Sequence, residues 1–98
     1  MVEVILPTQI RMIAQLKPKV CVKVADGATL NTLLDGLEAD YPALRGALRD
    51  PSSRRRRPFI RFFIAGEDFS NENPDSPLPI SVVDQSEPVV IVGAIAGG

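Results

Sequence analysis

Val89-Val90-Ile91-Val92-Gly93-Ala94-Ile95-Ala96-Gly97-Gly98 is the stretch that decides the fold. Four β-favouring apolar residues in a row read as a buried strand. The chain then thins to small residues and two glycines. Glycine has no Cβ, so Gly97 and Gly98 fit a narrow channel and take backbone angles closed to other residues. The strand reads as a handle and the glycines as a stalk carrying the carboxylate; a frayed end is the other reading.

Working back from that strand, alternation and turn residues mark the rest. Val2, Val4 and Leu6 alternate with Glu3 and Ile5, which predicts a first strand ended by Pro7. Residues 9–16 have a weak helical rhythm and read as an irregular connector. Lys19 to Val24 predicts a second strand, with Val20, Val22 and Val24 inward and Lys19, Cys21 and Lys23 outward. Asp26-Gly27 makes a turn and Thr29 is a good N-cap. Leu30, Leu33, Leu34, Leu37 and Tyr41 recur at helical spacing until Pro42, where a short second helix with Leu44 and Leu48 follows. Phe59 to Ile64 predicts the third strand, and Gly66-Glu67-Asp68 a turn. Residues 70–79 are too rich in turn formers to be regular, and Ile80 to Val83 reads as a short strand before the last one.

Ninety-eight residues make one domain, here 1–98 with 93–98 as a flexible tail. An apolar content of 45% fits a globular fold, and a net charge of −1 gives no field for nucleic acid or anionic membrane. The N-terminus lacks the pattern of a signal peptide, and no apolar run is long enough to span a bilayer, so a cytoplasmic location is expected. There is no histidine, which removes the usual general base and zinc ligand, and no metal site is expected. The single cysteine, Cys21, excludes an internal disulfide and an iron–sulfur cluster with four cysteine ligands. Catalysis by this chain's own side chains is therefore not expected, and Gly98 is the candidate chemical centre.

The order of elements resembles the ubiquitin-like β-grasp sulfur carriers of the MoaD/ThiS family. The residues that carry the resemblance are Ala28-Thr29-Leu30 opening a helix that ends near Tyr41-Pro42, the segment 59–68, and the ending Ala94-Ile95-Ala96-Gly97-Gly98. The loop Asp50-Pro51-Ser52-Ser53 resembles the CysO-like branch. The resemblance implies an α+β fold, a mixed sheet of four to five strands on one main helix. It also implies a chemistry: an E1-like enzyme uses ATP to adenylate Gly98, and a sulfur donor then displaces AMP to leave a thiocarboxylate. The sulfur passes to an acceptor enzyme, a molybdopterin synthase large subunit or a cysteine or thiazole synthase. On this reading the chain binds no cofactor, and ATP is used by the partner. Three departures from the family pattern stand out, one of them a loop over residues 70–79 that is longer than usual and lacks the glycines often found there. Gly93 replaces a common proline, which loosens the tail's exit, and Asp84-Gln85-Ser86-Glu87 lacks the glycine of the usual Asp-Gly-Asp turn.

Inward Ile60, Phe62 and Ile64 on the third strand, with Val89 and Ile91 on the last, leave one sheet face uncovered by the helix. Phe59, Phe63, Val90 and Val92 on that face, with Ala94, Ile95 and Ala96 of the tail, are the expected partner-binding residues. Arg54 to Arg57 reads first as a solvated loop, next as a contact for an acidic partner, and last as a nucleic-acid contact. Two other functions stay open: a modifier that forms isopeptide bonds through Gly98, and a β-grasp adaptor with an inert tail.

Overall fold

The computed structural model describes residues 1–93; the expected tail residues Ala94, Ile95, Ala96, Gly97 and Gly98 lie outside the described residues. In chain order the elements are β1 (Val2–Ile5), α1 (Thr8–Ile13), β2 (Lys19–Val22), α2 (Leu30–Asp40), a 3-10 turn (Pro42–Leu44), β3 (Ile60–Ile64), β4 (Glu67–Asp68), α3 (Ile80–Val83) and β5 (Val89–Gly93). The five strands form one sheet in the order β2-β1-β5-β3-β4. β1 and β5 run parallel at its centre and the other neighbours are antiparallel.

The alternation in the sequence becomes the two faces of this sheet. Val2, Val4, Val20, Val22, Ile60, Phe62, Ile64, Val89 and Ile91 point to one side and are buried. α2 lays Leu30, Leu33, Leu34 and Leu37 onto that side, and Leu44 and Leu48 from the following segment join them, with Leu6, Ile10, Leu78 and Val82 from the connections. The N-terminus of α2 is fixed as expected: the Thr29 side chain accepts from the Thr32 N–H, and the Thr32 hydroxyl oxygen accepts from the Thr29 N–H at 2.8 Å.

α2 lies close against edge strand β2. A Cβ on Gly36 would stand 2.9 Å from Cγ1 of Val22, a side chain with no exposed surface and no room to move. Alanine would favour the helix by about 1 kcal/mol, yet the overpacking opposes it by roughly 1–3 kcal/mol. Gly36→Ala is therefore expected to lose about 1 kcal/mol in urea unfolding, and a stabilised variant would show that the two elements separate easily.

Several expectations are corrected. Residues 8–13 are a helix, not an irregular connector; Pro7 sits at its N-cap and Ile10 anchors it in the core. Ile80 to Val83 is one helical turn rather than a strand. β2 ends at Val22, two residues earlier than the alternation implies. The turn after β3 is Ala65-Gly66, both at positive φ, so Glu67 and Asp68 pair back onto Ile64 and Phe63 instead of turning. Phe59 precedes β3 instead of opening it. Gly93, expected at the loose root of the tail, belongs to β5 and pairs with Ile60.

Gln85 shows what becomes of the turn that lacks its glycine. Its φ is +68°, a left-handed conformation that disfavours residues with a Cβ. The Asp84 carboxylate holds the turn by accepting from the Ser86 N–H at 2.8 Å and from the Ser86 hydroxyl. Gln85→Gly is expected to raise stability by about 0.5 kcal/mol, the relief of strain exceeding the added chain entropy. A thermal melt checks this, and a lower Tm would count against it.

Candidate functional site

The register of the ladder sets out the face that α2 does not cover. Phe63 pairs with Val90 on one side and Asp68 on the other; Val90 pairs with Ile5, and Ile5 with Lys19. One row across the sheet therefore reads Lys19, Ile5, Val90, Phe63, Asp68. In the next row Val92 pairs with Arg61. Ile5, Val90 and Phe63 are half-buried, and Val92 is 39% exposed. The apolar centre lies between two ion pairs, Lys19 with Glu3 at 3.8 Å and Arg61 with Asp68 at 2.8 Å. An apolar patch with a charged rim is the usual form of a protein contact site.

The expected residues Phe63, Val90 and Val92 are thus brought together. Phe59 stands apart, 39% exposed in the turn just before β3. Ile5 joins the patch although its strand gave no sign of it; the parallel pairing of β1 with β5 places it beside Val90. Gly97 and Gly98, with Ala94, Ile95 and Ala96, lie outside the described residues. The strand that leads to them is central, and a Cβ on its last residue, Gly93, would lie 3.6 Å from the Pro7 ring. Cys21 is exposed and pairs with Glu3.

The arginine run has mostly structural work. Arg56 donates to the backbone oxygens of Ser70, Arg57 and Ile60, tying its loop to β3 and to residue 70. Arg57 donates to the Gly46 oxygen at 2.9 Å, and Arg54 to Asp35. Among the described residues, Arg55 has no side-chain partner. A hollow of about 770 Å³ lies between residues 53–56, the start of α2 and residues 70–75.

Behind that hollow stands a residue the sequence reading missed. Arg49 is only 4% exposed. Its guanidinium donates to Glu38 at 2.8 Å, to Asn31 at 3.1 Å and to Asp35. These three acceptors follow helical spacing along one side of α2 and lie in a line. Burial would by itself raise the Asp35 pKa; the hydrogen bonds and charges of Arg49 and Arg54 outweigh it and hold the carboxyl below its ordinary value. Burial likewise works against the Arg49 charge, but the bonds to Glu38 and Asp35 prevail and raise its pKa. Arg49 clamps the segment after the 3-10 turn onto α2.

Three solved structures resemble this fold over nearly its whole length. Haloferax volcanii SAMP1 has a TM-score of 0.75 at 20% identity, with 98% of this chain and 97% of that one covered. A chain of the Amycolatopsis orientalis BexX/CysO complex gives 0.76 at 22% identity, with 100% of both covered. Mycobacterium tuberculosis CysO, described as an antigen, gives 0.74 at 25% identity, with 97% of this chain and 100% of that one covered. The fold is a ubiquitin-like β-grasp. No protein-family model and no curated protein sequence matches the chain. Other structural neighbours of this β-grasp are described as small archaeal modifier protein 1, and CysO and SAMP1 share the fold that the sequence resemblance implied. Among the described residues of this β-grasp, no group of acidic or cysteine side chains has metal-binding geometry, and no helix is long and apolar enough to cross a membrane.

Proposed function

We propose that this chain is a sulfur carrier: a protein substrate, not an enzyme, whose chemistry resides at the Gly98 carboxylate. The observation that supports this most is the placement of β5. The central strand of the β-grasp borders an apolar sheet face with a charged rim, and in the sequence it is followed by Ala94-Ile95-Ala96-Gly97-Gly98.

A carboxylate is a poor electrophile, so it must be activated. An E1-like enzyme joins it to AMP from ATP with release of pyrophosphate, and a sulfur donor displaces AMP to leave a thiocarboxylate. The five residues after Gly93 span at most about 17 Å when extended. That is enough to enter a nucleotide site while the body docks outside. Phe63, Val90 and Val92 form the docking face, Phe59 is a separate contact before β3, and Ala94, Ile95 and Ala96 thread the enzyme's channel. ATP stays with the activating enzyme, and the chain itself binds no cofactor. The acceptor is a molybdopterin synthase large subunit or a cysteine or thiazole synthase; the resemblance of Asp50 to Ser53 to the CysO-like branch favours the cysteine route.

The test is intact-mass analysis after incubation with ATP, a cognate E1-like enzyme and a sulfur donor. One oxygen-to-sulfur exchange localised to Gly98 is expected. No mass change, in a mixture where an established carrier reacts, overturns the proposal. A second reading has its own support in the neighbours described as small archaeal modifier protein 1. If the chain is a modifier, Gly98 will be recovered bonded to target lysines.

The docking face makes a separate prediction. Val92→Asp places a carboxylate opposite Arg61 at an exposed position and puts a new charge into the docking face. The KM of the activating enzyme for this chain should rise about tenfold, about 1.4 kcal/mol, which is more than most contact positions cost and reflects a charge introduced among apolar residues. An unchanged KM would move the docking face elsewhere.

A further inference from the structure

We infer that α1 carries a second docking contact, Met12 and Ile13, for the enzyme that acts on Gly98. This rests on the carrier reading above. The two residues are adjacent on a six-residue helix, and they are 66% and 52% exposed. That is more than either Phe59 or Val92 on the outer sheet face, both at 39%. The core holds α1 through Ile10, so the fold has no need of apolar side chains at positions 12 and 13.

Their position relative to the tail gives them a use. α1 begins directly after Pro7, and the Pro7 ring lies 3.6 Å from where a Cβ on Gly93 would be. At 1.5 Å of rise per residue, Met12 and Ile13 are about 8 Å along the helix from that point. The chain beyond Gly93 reaches about 17 Å at most. An active site that holds Gly98 must therefore bring its rim against the surface around Gly93. A protein contact of standard size buries about 800 Å² per partner, roughly a disc of 16 Å radius. Centred on the root of the tail, such a footprint is wide enough to reach Val92, the residue before Gly93, and the end of α1 about 8 Å beyond Pro7. The occupant is the activating enzyme, meeting α1 with an apolar surface at the mouth of its nucleotide site. Methionine suits such a contact because its unbranched side chain adapts to the partner.

The test compares the wild-type chain with a Met12→Gln/Ile13→Gln variant. Adenylation by the cognate E1-like enzyme is followed as ATP-dependent pyrophosphate release over a range of chain concentrations. KM is expected to rise about tenfold with kcat preserved, and the variant should still acquire the full Gly98 mass change at saturation. A KM within twofold of wild type overturns the α1 contact and leaves the carrier reading standing. A fall in kcat at unchanged KM also overturns it, since the effect would then lie at the reacting end. A wild-type chain that is never adenylated overturns the carrier reading and the α1 contact with it. A thermal melt checks the fold; if the double variant melts early, Met12→Gln, the more exposed position, is held to the same criteria.

Discussion

Arg49→Met is expected to lose about 3 kcal/mol of stability, and so about 15 °C in Tm for a domain of this size. The stem volume is kept, so the loss is that of the clamp. Glu38, 15% exposed, is left with a carboxylate that has lost its partner in a poorly hydrated site, while Asp35 is about half exposed and contributes less. The Asn31 side-chain oxygen also loses its donor. Glu38→Gln in the same background should recover part of the loss, because the stranded charge is removed. The pH dependence carries its own sign. Asp35 is held below its ordinary value of 3.8, so its contribution is present above that pH and is lost as pH falls through the lower folded value. The gap between wild type and Arg49→Met, measured by urea unfolding, should be widest at pH 7 and narrow below pH 3.8. A gap that is constant with pH would assign Arg49 a packing role instead.

That clamp also marks where sequence reading stops. The core was legible because burial leaves a period: Val20 and Val22, Ile60, Phe62 and Ile64, and the leucines of α2 each follow the repeat of their element. α1 was hidden because only one of its residues, Ile10, is buried, which leaves its helical rhythm weak. α3 has four residues, too few for a helical period, and its Ile-Ser-Val-Val composition favours a strand. β4 has two residues, and only the left-handed Ala65-Gly66 pair creates it. For Arg49, half of the signal was present. Asn31, Asp35 and Glu38 form a polar line beside the leucine stripe, which identifies a helix side needing a donor. Which arginine supplies it depends on how the chain returns after Pro42, and no local spacing encodes that. The same holds for Arg54, Arg56 and Arg57, whose partners at Asp35, Ser70, Ile60 and Gly46 are distant or main-chain. That Phe63, Val90 and Val92 share the outer sheet face was legible because strand parity sets it. Ile5 was not, since its membership depends on the parallel pairing of the first strand with the last.

Removing Gly97 and Gly98 should abolish thiocarboxylate formation, with a rate loss of more than about 10²-fold, while the melting temperature stays within about 1 °C of wild type. The two effects are expected to separate because the described core draws on the last strand through Val89 and Ile91, several residues before the two glycines. The shortened chain ends at Ala96, about 7 Å short of full reach. Placement errors of even 1 Å can lower a rate by about 10²-fold, so a carboxylate that cannot approach the nucleotide is in effect unreactive. The new terminal residue also carries a Cβ into a channel that, on the carrier reading, is shaped for glycine. Arg49→Met is the converse case: fewer molecules are folded, but each folded one reacts at the normal rate. Measuring both variants by intact mass and by thermal melt therefore assigns fold and chemistry to different parts of the chain. If the truncated chain is thiocarboxylated at the wild-type rate, Gly98 is not the reacting end; if it also retains every binding function, the tail is inert and the chain is a β-grasp adaptor.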